Sequence, residues 1–524
     1  MKLWLPLERE SSKLNVGSLL STNAVRFPAK PALIEGERKV SYSEFNRRAN
    51  KLANKLLALE VRKGDKACLY LNNSIEFAEI YFALSKIGVI VVPINFRIKG
   101  KELHHIVRHS DSTLLFVDDG TWQNIEPLRK DLGSVVKFIS VGNTPSDWYI
   151  LYQELFDSQP SEEPSVIVSE EDIHSLCYTS GTTGLPKGVV LTNLNIFIHH
   201  YYVTSSEFGV THDDIFLATT PLSQRIGWGK LINSIALGCT LVIVRSFHAE
   251  ETMKIIEKEK VTILSIIPTI GRLILQLPNL ESYDTRSLKM FFVTGEAFPI
   301  EVKKGLMERF PHVKIVSYFA STEAAIVTSM MHENILIKPT SVGHLLPGVE
   351  VKIVDDDGKE VPFGEVGEII TKCGKPGMFS IMKEYYKDPV QTEEAFVGEW
   401  LRTGDMGQFD HEGYLYIVDR RKDMIISGGF NIYSREVEAI LEGNEKVAEV
   451  AVIGVPDGTY GEAVKAFVVL KQGARANGEE MIEYCRENLA SYKKPKYIEF
   501  VDALPRNTVG KVLKYMLKQE GVRE

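Results

Sequence analysis

An α/β protein of several lobes is what this 524-residue sequence predicts, and three features of the chain predict it. Between about residues 66 and 320, short β-branched runs alternate with amphipathic segments, the pattern of βα units built around buried parallel strands. From Val349 to Glu368 the pattern changes to strands separated by turn signals. From about Asp419 to the end, the chain carries a separate set of helices and strands. The expectation is a large, multi-lobed N-terminal α/β body with a β-rich subdomain, followed by a small α+β C-terminal domain.

Within the body, Thr240 to Val244 reads as a buried strand, Ala249 to Lys260 as an amphipathic helix and Thr262 to Ile267 as the next strand. In the β-rich lobe, Asp356-Asp357-Gly358 and Phe363-Gly364 mark turns. Near the C-terminus a helix is expected over Ser434 to Leu441, with Ser434 as its cap ahead of Val437 and Glu438. Strands over Val447 to Val455 and Val464 to Leu470 and a helix over Glu479 to Ala490 complete the small domain.

Composition excludes several function classes. Hydrophobic residues make up 44% and charged residues 25%, so the chain folds around a core. Acidic residues outnumber basic ones, 69 to 61, which leaves no basic excess to neutralise a nucleic-acid backbone. Met1 to Leu20 is interrupted by Glu8, Arg9 and Glu10, and no apolar stretch reaches membrane length, so the default location is cytoplasmic. Cys68, Cys177, Cys239, Cys373 and Cys485 form no CxxC pair and read as core or surface thiols. His104-His105 and His199-His200 are adjacent pairs that would diverge by about 100° on a helix, and they are assigned no metal.

The most informative stretch is Tyr178-Thr179-Ser180-Gly181-Thr182-Thr183-Gly184-Leu185-Pro186-Lys187-Gly188. Its glycines let the backbone turn tightly, so that N–H groups and hydroxyls can surround an anion while Lys187 adds charge. The Walker spacing does not fit, because it requires Lys directly after the second Gly and a hydroxyl residue after that. At this string the sequence resembles the adenylate-forming superfamily of acyl-CoA synthetases, peptide-synthetase adenylation domains and firefly luciferase, and the resemblance continues in order over nearly the whole chain.

What the resemblance implies can be given residue by residue. Thr179, Ser180, Gly181, Thr182, Thr183, Gly184 and Lys187 would hold the β- and γ-phosphates of ATP. Gly295-Glu296-Ala297 would line the adenine pocket. In Phe319-Ala320-Ser321-Thr322-Glu323 the ring would stack on adenine, Thr322 would touch the α-phosphate and Glu323 would bind Mg²⁺, a hard cation that takes oxygen ligands. Ala320 stands where the family has Gly. Asp405, in Arg402-Thr403-Gly404-Asp405, would accept from the ribose hydroxyls, and Arg420 would contact phosphate or ribose. Lys422 occupies the hinge position. Ser427, Gly428, Gly429 and Phe430 would form the CoA loop, and Lys511, in Pro505 to Lys511, would reach the α-phosphate and the acid carboxylate.

The implied division is an adenylation body over residues 1–419 and a mobile C-terminal domain over 420–524 that carries the catalytic lysine. The implied reaction is ATP plus a carboxylic acid giving acyl-AMP and pyrophosphate, then transfer to CoA giving acyl-CoA and AMP, as in fatty-acid and lipid metabolism. Loading of a carrier protein's phosphopantetheine arm and a non-catalytic nucleotide- and acid-binding role remain the alternatives, and a homodimer is left open. The acid-binding segment departs from the family: Pro221-Leu222-Ser223-Gln224-Arg225-Ile226-Gly227-Trp228 lacks the usual aromatic-histidine pair. Gln224, Arg225 and Trp228 are the candidate pocket residues. The favoured branch has Arg225 facing solvent, Trp228 as an apolar wall and an apolar monocarboxylic acid as substrate.

Overall fold

The computed structural model describes residues 14–142, 148–157, 159–179, 185–295, 298–506 and 512–521. It divides into two compact units, Met1–Glu350 with Lys372–Leu401, and Val351–Thr371 with Arg402–Glu524. Among the described residues, no helix is long and apolar enough to cross a membrane.

The first unit holds two large sheets. One has nine strands in the order His344–Leu345, Ala325–Met330, Lys314–Ser321, Met290–Val293, Ile263–Ile266, Ile215–Ala218, Thr240–Ile243, Pro31–Glu35 and Arg38–Ser41. The six strands from Lys314–Ser321 to Pro31–Glu35 are parallel, and the strands beyond them at each side are antiparallel. The other sheet runs Glu384–Tyr385, Lys187–Thr192, Ile173–Thr179, Ile90–Pro93, Lys66–Tyr70, Leu114–Asp118, Lys137–Val141 and Ile150–Leu151. Strands such as Ile90–Pro93, Thr240–Ile243 and Ile263–Ile266 are buried at every residue. Helices cover both faces of such a sheet, so its strands read as continuous apolar runs and not as alternation.

The expected strand-helix-strand run is present as Thr240–Ile243, Ala249–Glu259 and Ile263–Ile266. The helix stops one residue short of the expected Lys260, which takes φ +51° and turns the chain out. Helix Ile75–Lys86 is buried at every position but Glu76, so the charges of Glu79 and Lys86 must be paired inside the fold. Glu79 accepts from Arg48 and from the Tyr152 hydroxyl, and Lys86 meets Glu163 at 2.7 Å.

The second unit contains all of strand Leu415–Arg420 and, up to Thr371 and from Arg402, strands Gly367–Lys372 and Trp400–Phe409 of the same sheet, and a further sheet of Phe430–Ile432, Ile425–Ser427, Gly461–Leu470, Val447–Asp457 and Tyr497–Phe500. Along Val447–Asp457, Val450 and Val452 face a core with Val437, Leu441 and Met481, while Ala451, Ile453 and Val455 face one with Leu504 and Leu517. Period-two side chains with both faces covered account for the unbroken apolar run. The expected helices are Ser434–Glu442 and Gly478–Asn488. Ser434 is not the cap: Tyr433 holds that position, and buried Ser434 donates to Asp419 at 2.9 Å. The carboxylate of Asp419 also accepts from the Arg435 amide at 3.4 Å, so a residue distant in sequence supplies the negative charge at this helix start.

Candidate active site

Parallel sheets bind ligands outside the carboxyl ends of their strands, because there the loops diverge and helix starts point inward. In the nine-stranded sheet, the candidates follow this rule. Ile215–Ala218 leads to the acid segment, Met290–Val293 to Gly295, and Lys314–Ser321 carries Phe319 and Ala320 into Ser321-Thr322-Glu323. In the eight-stranded sheet, the phosphate string joins the antiparallel strands Ile173–Thr179 and Lys187–Thr192, with Thr179 opposite Lys187. Ser180, Gly181, Thr182, Thr183, Gly184, Glu296, Ala297 and Lys511 lie outside the described residues.

Two histidines that sequence reading left without a role hold the ends of this string. His109 Nδ1 lies 2.8 Å from the Tyr178 hydroxyl, and His105 Nε2 donates to the Pro186 carbonyl at 3.1 Å. The two imidazoles stack at 5.1 Å on one face of helix Gly100–His109. With Pro186, Lys187, Tyr386 and Gln391 they line a cavity of about 250 Å³.

Phe319, Thr322 and Glu323 sit on and just past the strand Lys314–Ser321, which pairs antiparallel with Ala325–Met330. Phe319 is buried, and Ser321 Oγ accepts from the Ala324 amide at 2.9 Å. Ala325 takes φ +58°, a conformation that costs an L-residue about 1 kcal/mol or more. The tight turn thereby displays Thr322 and Glu323. The Tyr385 hydroxyl donates to Glu323 Oε1 at 3.0 Å, and Lys187 Nζ lies 5.1 Å from the centre of the same tyrosine ring. Burial and then the Glu323 carboxylate push the Tyr385 phenol up, so it stays protonated as a donor. Lys187 also donates to Gln391. Among the described residues Glu323 has no ion pair, and its oxygens suit Mg²⁺.

The acid segment is set by Gly227. A Cβ there would lie 1.9 Å from the Pro221 carbonyl oxygen, so only glycine lets the loop close onto the start of helix Arg225–Leu237. Arg225 is half-buried with its guanidinium turned onto protein partners and not out into solvent, which corrects the favoured branch above. Its Nη1 donates to His200 Nε2 at 2.6 Å, and its guanidinium lies 4.3 Å from the Trp228 ring centre. The physical reason is the partner set: a lone-pair acceptor and an aromatic face together draw the planar cation inward. Gln224 occupies the N-cap position, and Trp228 is 1% exposed. His200 sits in the π-wound segment Ile198–Val203 and its Nδ1 bonds Asn233 Oδ1. Since arginine can only donate, His200 is the neutral Nδ1–H tautomer. Burial, then His199 and Arg225, hold its pKa well below the ordinary range.

In the second unit, Asp405 and Arg420 are direct partners across the strands Trp400–Phe409 and Leu415–Arg420, and Arg420 Nε meets Asp405 Oδ1 at 2.7 Å. Lys422 lies in the short turn Arg421–Asp423, where its carbonyl accepts from Lys518 at 3.3 Å. Ser427, Gly428, Gly429 and Phe430 make a two-residue hairpin between Ile425–Ser427 and Phe430–Ile432. Gly428 and Gly429 have φ +57° and +83°, the pair of positive values that a type I′ turn requires. Phe430 is exposed and stacks on Tyr492 at 4.7 Å.

Residues 20–386 match the model of the AMP-binding enzyme family, and residues 436–511 match its C-terminal domain. The chain belongs to the AMP-binding enzyme family. It is 34% identical to a long-chain-fatty-acid–CoA ligase of Mycobacterium tuberculosis over 97% of this chain and 98% of that protein. A crotonobetaine/carnitine–CoA ligase of Proteus mirabilis is also 34% identical, over 92% and 93%. The crystal structure of an anthranilate CoA ligase in complex with anthranoyl-AMP superposes with a TM-score of 0.88 at 30% identity, covering 99% of this chain and 98% of that one. This AMP-binding enzyme is an AMP-forming acid–CoA ligase with the mixed α/β architecture expected of the adenylate-forming fold.

For such a ligase, three residues that the sequence did not signal matter to the site. Tyr385 ties Glu323 to Lys187, and His200 with Asn233 holds Arg225. The one local sign was the aromatic pair Tyr385-Tyr386 in a charged run, which reads equally well as an ordinary surface turn.

Proposed function

We propose that the ligase works with the following division of labour. The string from Thr179 to Lys187 holds the β- and γ-phosphates of ATP, Phe319 and the Gly295–Ala297 segment take adenine, and Asp405 with Arg420 takes the ribose. Glu323 holds Mg²⁺, which when bound screens the phosphate charge. Thr322 and Lys511 engage the α-phosphate, and Ser427 to Phe430 receive the pantetheine of CoA.

What supports this reading is the Glu323–Tyr385–Lys187 arrangement, because one tyrosine fixes a carboxylate at its hydroxyl and a cation over its ring. A nucleotide triphosphate needs just such a separated pair, a cation for phosphate oxygens and an anion for the metal. A carboxylate is a poor electrophile because its charge repels nucleophiles and oxide leaves badly. Attack of the acid oxygen on the α-phosphate forms the mixed anhydride and expels pyrophosphate. The CoA thiol then attacks the acyl carbon and expels AMP.

The first step needs Lys511 where the second needs the thiol. Residues 420–524 therefore move about Lys422 between the half-reactions, as hinges at element ends allow. The enzyme is assigned to the cytoplasm, and no assembly partner is required for the chemistry.

Lys511→Ala tests the scheme. It should slow acyl-adenylate formation by about a hundredfold or more, the loss expected for one transition-state charge contact, while thioester formation from supplied acyl-adenylate changes little. Equal loss in both half-reactions would remove Lys511 from this role.

A further inference from the structure

We infer that the acid this enzyme activates carries a second anionic group, and that Arg225 is the residue that selects it. The inference rests on the ligase reading and specifies its acid.

Arg225 has five N–H donors, of which Nη1 is placed on His200 and Nε is enclosed with no partner. Among the described residues it has no ion pair; its contacts are an imidazole lone pair and the Trp228 ring. Lys230, 4% exposed on the same helix, likewise has no carboxylate partner among the described residues. It donates to the Tyr318 hydroxyl at 3.1 Å and lies 4.7 Å from the Phe292 ring centre.

Among the described residues, the histidines, tyrosine and cysteine nearest Arg225 supply no compensating charge. His174, His199 and His200 are held neutral by burial, with Arg225 adding to the effect, and Tyr81 and Cys177 are kept protonated by burial. Two cations therefore stand in one neutral, aromatic setting. The segment that carries Arg225 also presents further polar atoms with no hydrogen-bond partner among the described residues: Thr220 Oγ1, Ser223 Oγ and Gln224 Nε2, with Thr220 and Ser223 at 5% and 6% exposure.

A half-buried structural arginine turned onto the protein is normally neutralised inside the fold, since a charge removed from water without a partner is costly. An alkyl chain laid on this surface would desolvate the guanidinium further and satisfy none of these groups. A carboxylate would accept bidentately from the guanidinium and from the adjacent hydroxyls or amide. The location agrees, because the segment leaves the carboxyl end of strand Ile215–Ala218, and His199 Nδ1 accepts from the Ile326 amide at 3.4 Å, next to the turn bearing Thr322 and Glu323. The adenylated carboxylate and the selected anion are thus opposite ends of one short acid. His200, fixed by Asn233, is a positioning residue for Arg225.

The test is pyrophosphate release by the full-length enzyme with ATP, CoA and pairs of dicarboxylic and monocarboxylic acids of equal carbon number, aliphatic and aryl. The parent should favour the diacid of at least one pair, and Arg225→Gln should lower the diacid-to-monoacid ratio of kcat/KM by about a hundredfold, with Arg225→Lys restoring part of it. A parent that prefers monoacids throughout, or an Arg225→Gln loss that is equal for both members, overturns the inference. So does equal use of a half-amide and its diacid, which would mean that Arg225 reads acceptors and not charge. ATP binding by each variant, measured directly, shows that the protein is folded. Failure of every acid tested to give pyrophosphate release, despite ATP binding, would refute the ligase reading itself and the inference with it.

Discussion

Acidification should destabilise the first unit through two buried histidines. His174 and His200 are 2% and 3% exposed, and burial, reinforced by Arg225, pushes His174 from its ordinary range to about 3 and His200 well below that range. In the unfolded chain each titrates near about 6.5. Between those values the unfolded state binds more protons than the native state, so stability rises with pH and is lost as pH falls below the unfolded value. For one such histidine the loss on going from about pH 7.5 to about pH 5 is roughly 2 kcal/mol, and roughly 4 kcal/mol for both.

Equilibrium urea unfolding followed by tryptophan fluorescence reads this unit, since Trp122, Trp148 and Trp228 all belong to it. His174→Gln and His200→Gln should each reduce the pH-dependent loss by about 2 kcal/mol, whatever they do to stability at neutral pH. Comparing each variant with itself at two pH values removes the packing cost of the substitution. If the double variant loses as much between the two pH values as the parent, the histidines are not the cause and the neutral assignment of His200 fails with them.

Two further outcomes follow from the site. Glu323→Gln should raise the Mg²⁺ midpoint of pyrophosphate release at least about tenfold, the loss that even an outer partner of a metal ligand commonly gives; an unchanged midpoint would take Glu323 out of the metal site. Gly428→Val puts a β-branched residue at φ +57° with its Cβ 3.2 Å from the Tyr460 ring. It should distort the hairpin and raise KM for CoA in the thioesterification of supplied acyl-adenylate; a KM equal to the parent's would mean that the hairpin does not receive CoA.

The parts of the molecule that sequence made legible are those governed by local rules. Buried parallel strands announce themselves as continuous apolar runs, as in Thr240–Ile243, and the Gly428-Gly429 pair specifies its own turn. Asp405 and Arg420 were each suggested by motif, and strand register brings them together. Long-range partners were not legible. Ser434 resembles a cap from its neighbours, yet Asp419 takes over the helix start. Arg225, in a polar loop string, reads as a solvated charge because nothing nearby in sequence accepts from it. Its acceptor is His200, whose ring is oriented by Asn233, and only the packing of helix Arg225–Leu237 on Ile198–Val203 brings the three together.

The same three residues connect acid lability with substrate choice. His200 can accept from Arg225 only while its Nε2 carries a lone pair, and that requires the neutral ring. Protonation would set an imidazolium N–H against a guanidinium N–H at a spacing of 2.6 Å, so the ring and the arginine could no longer share the site. Burial keeps the ring neutral, and Asn233 fixes which nitrogen faces Arg225. The arrangement leaves the remaining guanidinium donors oriented while adding no negative charge that would compete with an incoming acid. A carboxylate in place of His200 would neutralise Arg225 within the fold and remove its attraction for a substrate anion. A neutral acceptor positions the cation and leaves its charge to the acid, which is why the histidine's protonation state and the enzyme's selectivity depend on one hydrogen bond.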